Sequence, residues 1–446
     1  MINPSGRGGL NASRFGGRHG RLAAVAVAGA GLSLALAACS TSATTSESTD
    51  GASDGGGSTE QTVLKVYGWK GNDAEPANIT EINEAFEAAH PEITLDYEFV
   101  PANDAYLQRV QPELLAGEGA DVIMTDPTKV ADWAKAGYLK DISDSSWVGD
   151  MQDTVTPFVS FDGNVYATPT ELIPIGLFAN MDQLAEVGIT EVPETFPEFT
   201  AAMDKLKDAG MTPLALPNKA GNTGAWILNG IAATLVYNDN PDWDQQFMDG
   251  EVSFEDWRGS IEQMMSLEED GYIDYKTELG NDEWANGAFD FAAGKNTFML
   301  QGSWVSAGVV DAGLDNFQIA PWPAGPDGTQ SNNDYFVGVM WSVNANTEVE
   351  EAARAYVDFW ADADNALPFL ESERAQSPWV GGANPEDAAT APTVAALEDG
   401  RNRILANTTW YTESGRKAME SAIQSLQLGQ IDIDEFIATL DEQLRP

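Results

Sequence analysis

The chain has 446 residues, 70 Asp and Glu against 23 Lys and Arg, a formal net charge of −47 and a single cysteine. A field of that sign repels nucleic acid and anionic ligands. One cysteine and two histidines, His19 and His90, exclude an internal disulfide, a Cys/His catalytic pair and a Cys/His zinc cluster, and no metal or catalytic residue is nominated.

Residues 1–21 carry Arg7, Arg14, Arg18 and Arg21 and no acid, and Leu22 to Ala38 form an uncharged Ala-, Val- and Leu-rich run. A cationic segment, an apolar segment and small residues together predict a secretory signal over residues 1–38. The stretch "LAAC" (Leu36 to Cys39) at its end resembles the lipobox of bacterial lipoproteins. That resemblance implies cleavage after Ala38 and a lipid on the Cys39 thiol. Residues 39–60, rich in Ser, Thr and Gly, have no apolar periodicity and predict a flexible tether spanning about 25 Å. Losing the four arginines with the signal takes the net charge to about −51.

Beyond the tether, "TVLKVYGW" (Thr62 to Trp69) reads as a strand that stops at glycine. "ANITEINEAFEAAHP" puts Ile79, Ile82 and Phe86 on one helical face, and Pro91 ends it. "ITLDYEFV" alternates as a strand, "AYLQRVQPELLAGEGA" is a helix closing near Gly117, and "DVIMTD" is a short buried strand. This β-α-β-α-β order predicts a parallel sheet, with ligands taken in the loops at the carboxyl ends of its strands. Further on come an extended run from Leu172 to Phe178, a helix from Met181, a helix in "TFPEFTAAMDKLKDAGM", a strand in "MTPLALP" and an apolar helix in "AWILNGIAATLVY". Near the end, Asp432 as N-cap with Glu435 three residues on comes close to a capping box for a last helix. The fold class is α/β, and about 386 residues predict two lobes.

The stretches "FEAAHPEITLDYEFV", "GADVIMTD", "NVYATPTELIPIGLFANMDQLAEVGI", "AFDFAAGKNTFMLQGSWV", "IAPWPAGPDG" and "YFVGVMWSVNANTEVEEAARAYVDFW" occur in this order. Together they resemble the extracellular solute-binding proteins of ABC importers, in the carbohydrate-binding family that includes maltose-binding protein. The resemblance covers nearly all of residues 61–446. It implies a two-lobed periplasmic-binding-protein fold with an interlobe cleft. Carried over, the N-terminal lobe is 61–170 plus 305–342 and the C-terminal lobe 171–304 plus 343–446. Crossings are expected near Thr168–Ile175, Gly302–Val310 and Val339–Asn344.

A sugar offers apolar faces to flat rings and hydroxyls to polar side chains. Trp304 in "MLQGSWV" and Trp410 in "ANTTWYTESG", with Tyr411, resemble the family's stacking aromatics. Trp69, Asn72 and Asp73 follow the first strand; Asp126 and Thr128 follow the third. That second loop departs from maltose-binding protein, which has a tryptophan and charged residues there. Trp226 and Asn229, Trp284, Tyr335 and Trp379 complete the candidate ligand set. The resemblance implies a monomeric, lipid-anchored receptor on the extracellular face of the membrane. It would pass a sugar or oligosaccharide to a permease, with no catalysis, cofactor or nucleic acid. A receptor for a cationic solute such as a polyamine, using cation–π contacts, and an extracellular glycosidase are the alternatives.

Overall fold

The structure, a computed structural model, describes residues 61–69, 75–76, 78–101, 104–405 and 409–445. The first three strands, β1 (Thr62–Gly68), β2 (Ile93–Phe99) and β3 (Val122–Thr125), pair in parallel about β1, with Thr62 opposite Ile93 and Val66 opposite Val122. The helices Ile79–Ala89 and Asp104–Ala116 make the crossovers. The first buries Ile79, Ile82 and Phe86, the apolar face its sequence predicts, and the Phe86 ring meets Tyr356 edge-on at 5.1 Å. Gly117 closes the second with φ +74°, a backbone that favours glycine.

A short hairpin, β4 (Ser160–Phe161) with β5 (Asn164–Val165), leads to β6 (Thr168–Pro169) on the first sheet. The chain then enters a second sheet. It contains β7 (Leu172–Asn180), β8 (Leu214–Ala215), β9 (Phe298–Gly302), β10 (Phe317–Ala320), β11 (Asn333–Val337) and, after a return visit to the first, β13 (Asn402–Ile404). The return visit is β12 (Met340–Val343), which lies antiparallel between β3 and β6. β7 is buried along its whole length, as a central strand covered on both faces must be. The result is two α/β lobes, each built on one sheet.

Strand pairing corrects the expected lobe boundaries. β10 and β11, placed by expectation in the N-terminal lobe, pair with β7 in the second sheet. Helix Glu350–Ala361, expected in the C-terminal lobe, packs on the first sheet, where Trp341 meets Tyr356 at 5.3 Å and Trp360 at 5.6 Å. The segment near Gly302–Val310 is no crossing, because it joins β9 to β10 within one sheet. The physical reason is that long-range hydrogen bonding, not chain order, decides sheet membership.

The chain passes between the sheets at Thr170–Glu171, at Gly338–Val339 and around Gln376. These passages are tied together. Thr170 Oγ1 donates to Val339 O at 2.5 Å, Gly338 N to Glu171 O at 3.1 Å and Val339 N to Glu171 Oε1 at 3.2 Å. Leu172 and Gln376 exchange two backbone bonds of 2.8 Å. Gly338 is packed so closely that a Cβ would overlap the Glu171 carboxylate.

Candidate functional site

The passages fix which sheet edges face each other. Met340, at the start of β12, lies between Thr125 and Pro169, so the chain both leaves the first sheet after β6 and re-enters it where β3 ends. Val337 pairs with Leu172 and Gly302 with Ile175, so β11 and β9 end at the matching edge of the second sheet. Side chains just beyond these strand ends therefore converge beside the crossings, as ligand sites do in α/β sheets.

On the first lobe this edge carries Trp69 and Asp126. The Trp69 indole donates to Met124 O at 2.9 Å and lies 5.6 Å from the Tyr106 ring. Asp126 caps helix Pro127–Lys135. Its Oδ1 accepts from Thr128 N at 3.0 Å and Thr128 Oγ1 at 2.5 Å, and its Oδ2 is ion-paired with Lys129. Lys129 Nζ also stands 5.2 Å from the Trp69 ring centre. Burial pushes the Asp126 carboxyl up, but the Lys129 ammonium and the Thr128 hydrogen bonds outweigh it and hold the group below its ordinary value.

On the second lobe the edge carries an aromatic wall. Trp304 follows β9, and its ring lies across Gly302 so closely that any side chain there would overlap it. Trp226, in the first turns of helix Asn222–Leu235, meets Trp304 edge-on at 5.7 Å and Phe336 at 6.4 Å. Trp226 is buried, whereas Trp304 and Phe336 keep exposed surface. Asn222, one turn before Trp226 on the same helix face, accepts from Arg416 at 3.2 Å. The Glu283 carboxylate receives Ala220 N at 3.0 and 3.2 Å just before that helix.

Other expected ligand residues lie elsewhere. Trp410 is 2% exposed, with Trp257, Phe254, Trp243 and Phe247 rings 5.3 to 6.3 Å away, and its indole donates to Asp244 at 2.6 Å. This corrects its stacking role: the side chain completes an aromatic core. Tyr411 is buried beside it. Tyr335 donates to Thr393 O at 2.7 Å on the opposite face of β11 from Phe336, because strand neighbours alternate. Asn229 is buried on the inner side of the Trp226 helix itself, donating to Ala225 O and accepting from Arg403. Trp379 packs on Trp147 at 5.6 Å and bridges to Met151. Cys39, Asn72, Asp73 and the side chain of Trp284 lie outside the described residues.

Sequence reasoning missed Lys129 and Phe336. Lys129 had a signal, since a residue three after a helix cap returns to the cap. Phe336 had none, because alternation does not say which of two adjacent aromatics faces the helix. A separate hollow lined by Pro193, Pro321, Pro392, Gln330 and Arg401 lies by β10, which pairs with the far end of β7 from Leu177 to Asn180. Among the described residues no group of three or more His, Cys, Asp or Glu is placed to hold a metal ion, and no helix is long and apolar enough to cross a membrane.

The family model for bacterial extracellular solute-binding proteins matches residues 70–367. A multiple sugar-binding protein of Streptococcus mutans is 29% identical over 156 residues, 34% of this chain and 35% of that one. A maltotriose-binding protein of Pyrococcus abyssi is 24% identical over 250 residues, 54% of this chain and 49% of its own. The matches to the first curated relatives span between 32% and 59% of those proteins' length. The GacH receptor of Streptomyces glaucescens, solved unliganded and with acarbose, superposes with a TM-score of 0.67 at 20% identity over 86% of this chain and 97% of that one. A sugar transporter protein of Bacillus licheniformis in complex with stachyose gives 0.65 at 18% identity, over 86% and 99%. With two lobes, three tied crossings and a family match running through both sheets, the chain belongs to the bacterial extracellular solute-binding proteins.

Proposed function

We propose that this protein binds a neutral sugar or oligosaccharide between its lobes and delivers it to the membrane subunits of an ABC importer. It acts as a monomer outside the cell, held to the membrane by lipid on Cys39 and the tether of residues 39–60. The observation that carries this reading is the pairing of two chemistries beside the crossings. Trp304 and Phe336, backed by Trp226, offer flat apolar surface on the second lobe, and Asp126, Thr128 and Lys129, at the end of β3 on the first, offer oriented polar groups. That combination matches the two sides of a pyranose. The relatives named for multiple sugars, maltotriose and stachyose support the same ligand class.

A cationic solute fits less well. The Trp69 face that a cation would use already carries the Lys129 ammonium. Binding alone explains the site, with no covalent step.

The test is a thermal-shift screen of the purified protein with raffinose, stachyose, maltotriose, spermidine and a tripeptide. A ligand that binds only the folded state raises Tm, by about 2.7 kcal/mol of added stability at a hundred times Kd. A rise with at least one sugar and none with spermidine is expected. A response to spermidine alone would overturn the proposal.

A further inference from the structure

Behind the aromatic wall lies a largely buried polar network. Its centre is Arg403 on β13, with a side chain only 5% exposed. One terminal nitrogen donates to Asn229 Oδ1 at 2.9 Å and lies 3.5 Å from Asp334 Oδ1. The other donates to the Tyr237 hydroxyl at 2.9 Å and lies 3.5 Å from Asp244. The guanidinium also stacks 4.0 Å from the Tyr237 ring centre. Tyr237 in turn donates to Asp244 at 2.5 Å, the same oxygen that receives the Trp410 indole.

Two of these partners sit on the elements that carry the wall. Asn229 stands one turn after Trp226 on helix Asn222–Leu235, and its amide is locked to Ala225 O at 2.9 Å. Asp334 stands two residues before Phe336 on β11, so the two side chains share one strand face. One guanidinium nitrogen thus meets both the helix behind one ring and the strand behind the other, and the second arm, on Tyr237 and Asp244, fixes the plane in which it does so. Buried ion pairs add little net stability, because desolvation cancels most of the attraction, and apolar residues of similar volume often serve as well. What a rigid guanidinium adds is fixed geometry, which neither a lysine nor an apolar side chain reproduces.

We propose that Arg403 is a positioning residue for the ligand: through Asn229 and Asp334 it sets the spacing between Trp226 and Phe336, and so the shape of the wall on which Trp304 rests. The proposal concerns the same cleft and rests on its reading as a sugar site. It assigns specificity to a side chain that never touches the sugar.

Arg403→Lys keeps the charge and removes the fork. In whichever of raffinose, stachyose or maltotriose the wild type binds most tightly, it weakens binding about 3- to 30-fold, the range for residues that act through a packed network. Fluorine NMR of protein labelled with 5-fluorotryptophan supplies a readout that lost stability alone would not move. The Trp226 and Trp304 resonances, assigned with Trp226→Phe and Trp304→Phe, shift in Arg403→Lys, while those of Trp341 and Trp360 in the first lobe stay. Leu206→Ala, a cavity under helix Phe196–Asp208 of the same lobe, lowers Tm but moves neither resonance. If Arg403→Lys does not fold, Asn229→Ala cuts only the tie to the helix and gives the same pattern. Unchanged affinity, or unmoved Trp226 and Trp304 resonances, overturns the proposal. A wild type that binds no sugar overturns the cleft reading instead, and the fluorine resonances still decide whether Arg403 shapes the wall.

Discussion

Asp334 shows how much a single buried group can add to the pH response of this protein. Its side chain has no exposure to solvent, and one ion pair, at 3.5 Å to Arg403, is its closest charged contact. Burial pushes its carboxyl up to about 7, Arg403 opposes the rise and Asp244 reinforces it. An unfolded Asp titrates near 4. Between about pH 4 and 7 the folded chain therefore holds a proton that the unfolded chain has released, and stability falls as pH rises through that window. Asp334→Asn removes this slope. Burial likewise pushes the Glu278 carboxyl up to about 7, so wild type alone would mix the two groups. Measured by calorimetry, the Tm of wild type minus that of Asp334→Asn is expected to be smaller at pH 8 than at pH 5 by at least about 2 °C. A constant difference would mean that Asp334 stays ionised throughout. Residues also mark where sequence reading stopped. Trp304 and Trp410 are equally aromatic, and both follow a strand of the second sheet. Trp304 keeps exposed surface whereas Trp410 lies in a core, because Asp244, Trp243 and Trp257, about 150 to 170 residues away in sequence, take up Trp410.

Among elements, the turn from β9 into Trp304 is the most constrained part of the site. Gly302 has an ordinary extended backbone, φ −76° and ψ 152°, so conformation does not require glycine there. Space does: the Trp304 ring occupies the position of a Cβ. Gly302→Ala is thus a way to displace Trp304 without altering it. Loss of one well-placed aromatic contact costs about 1 to 1.5 kcal/mol, roughly five- to thirteen-fold in Kd. Titration calorimetry with the sugar identified in the screen should show that loss in Gly302→Ala and at least as much in Trp304→Ala. Wild-type affinity in both would remove Trp304 from the site. Elements were the most legible scale. Local patterns placed β1 to β3, the helix face of Ile79, Ile82 and Phe86, and the Asp432–Glu435 capping box, which the structure contains. The return of β12 to the first sheet was not legible. Its register with Thr125 spans 215 residues, and no local pattern encodes a pairing of that range.

For the whole molecule the dominant fact is charge. A net −47 with pI near 4.1 means that folding gathers many carboxylates on one surface, and their mutual repulsion opposes the compact state. Many of the ion pairs present are exposed, such as Arg258 with Asp434 and Lys295 with Asp290, and solvent screening and side-chain entropy leave such pairs little net stabilisation. Added salt screens both terms. The Debye length falls from about 10 Å at 0.1 M to 3 Å at 1 M, which removes repulsion across the surface while losing little from pairs already in contact. Raising KCl from 0.1 to 1 M is therefore expected to raise Tm. The cleft should respond differently. A neutral sugar carries no charge to screen, and the Asp126–Lys129 pair is partly buried beside Trp69. Its Kd is expected to change less than about twofold over the same range, whereas a cationic ligand drawn by the acidic field would lose affinity steeply. Tm by calorimetry and Kd by titration, taken on one salt series, separate the two effects. A Tm that falls with salt would show that attractive pairs outweigh the repulsion. A Kd that weakens in step with salt would show that the ligand itself is charged.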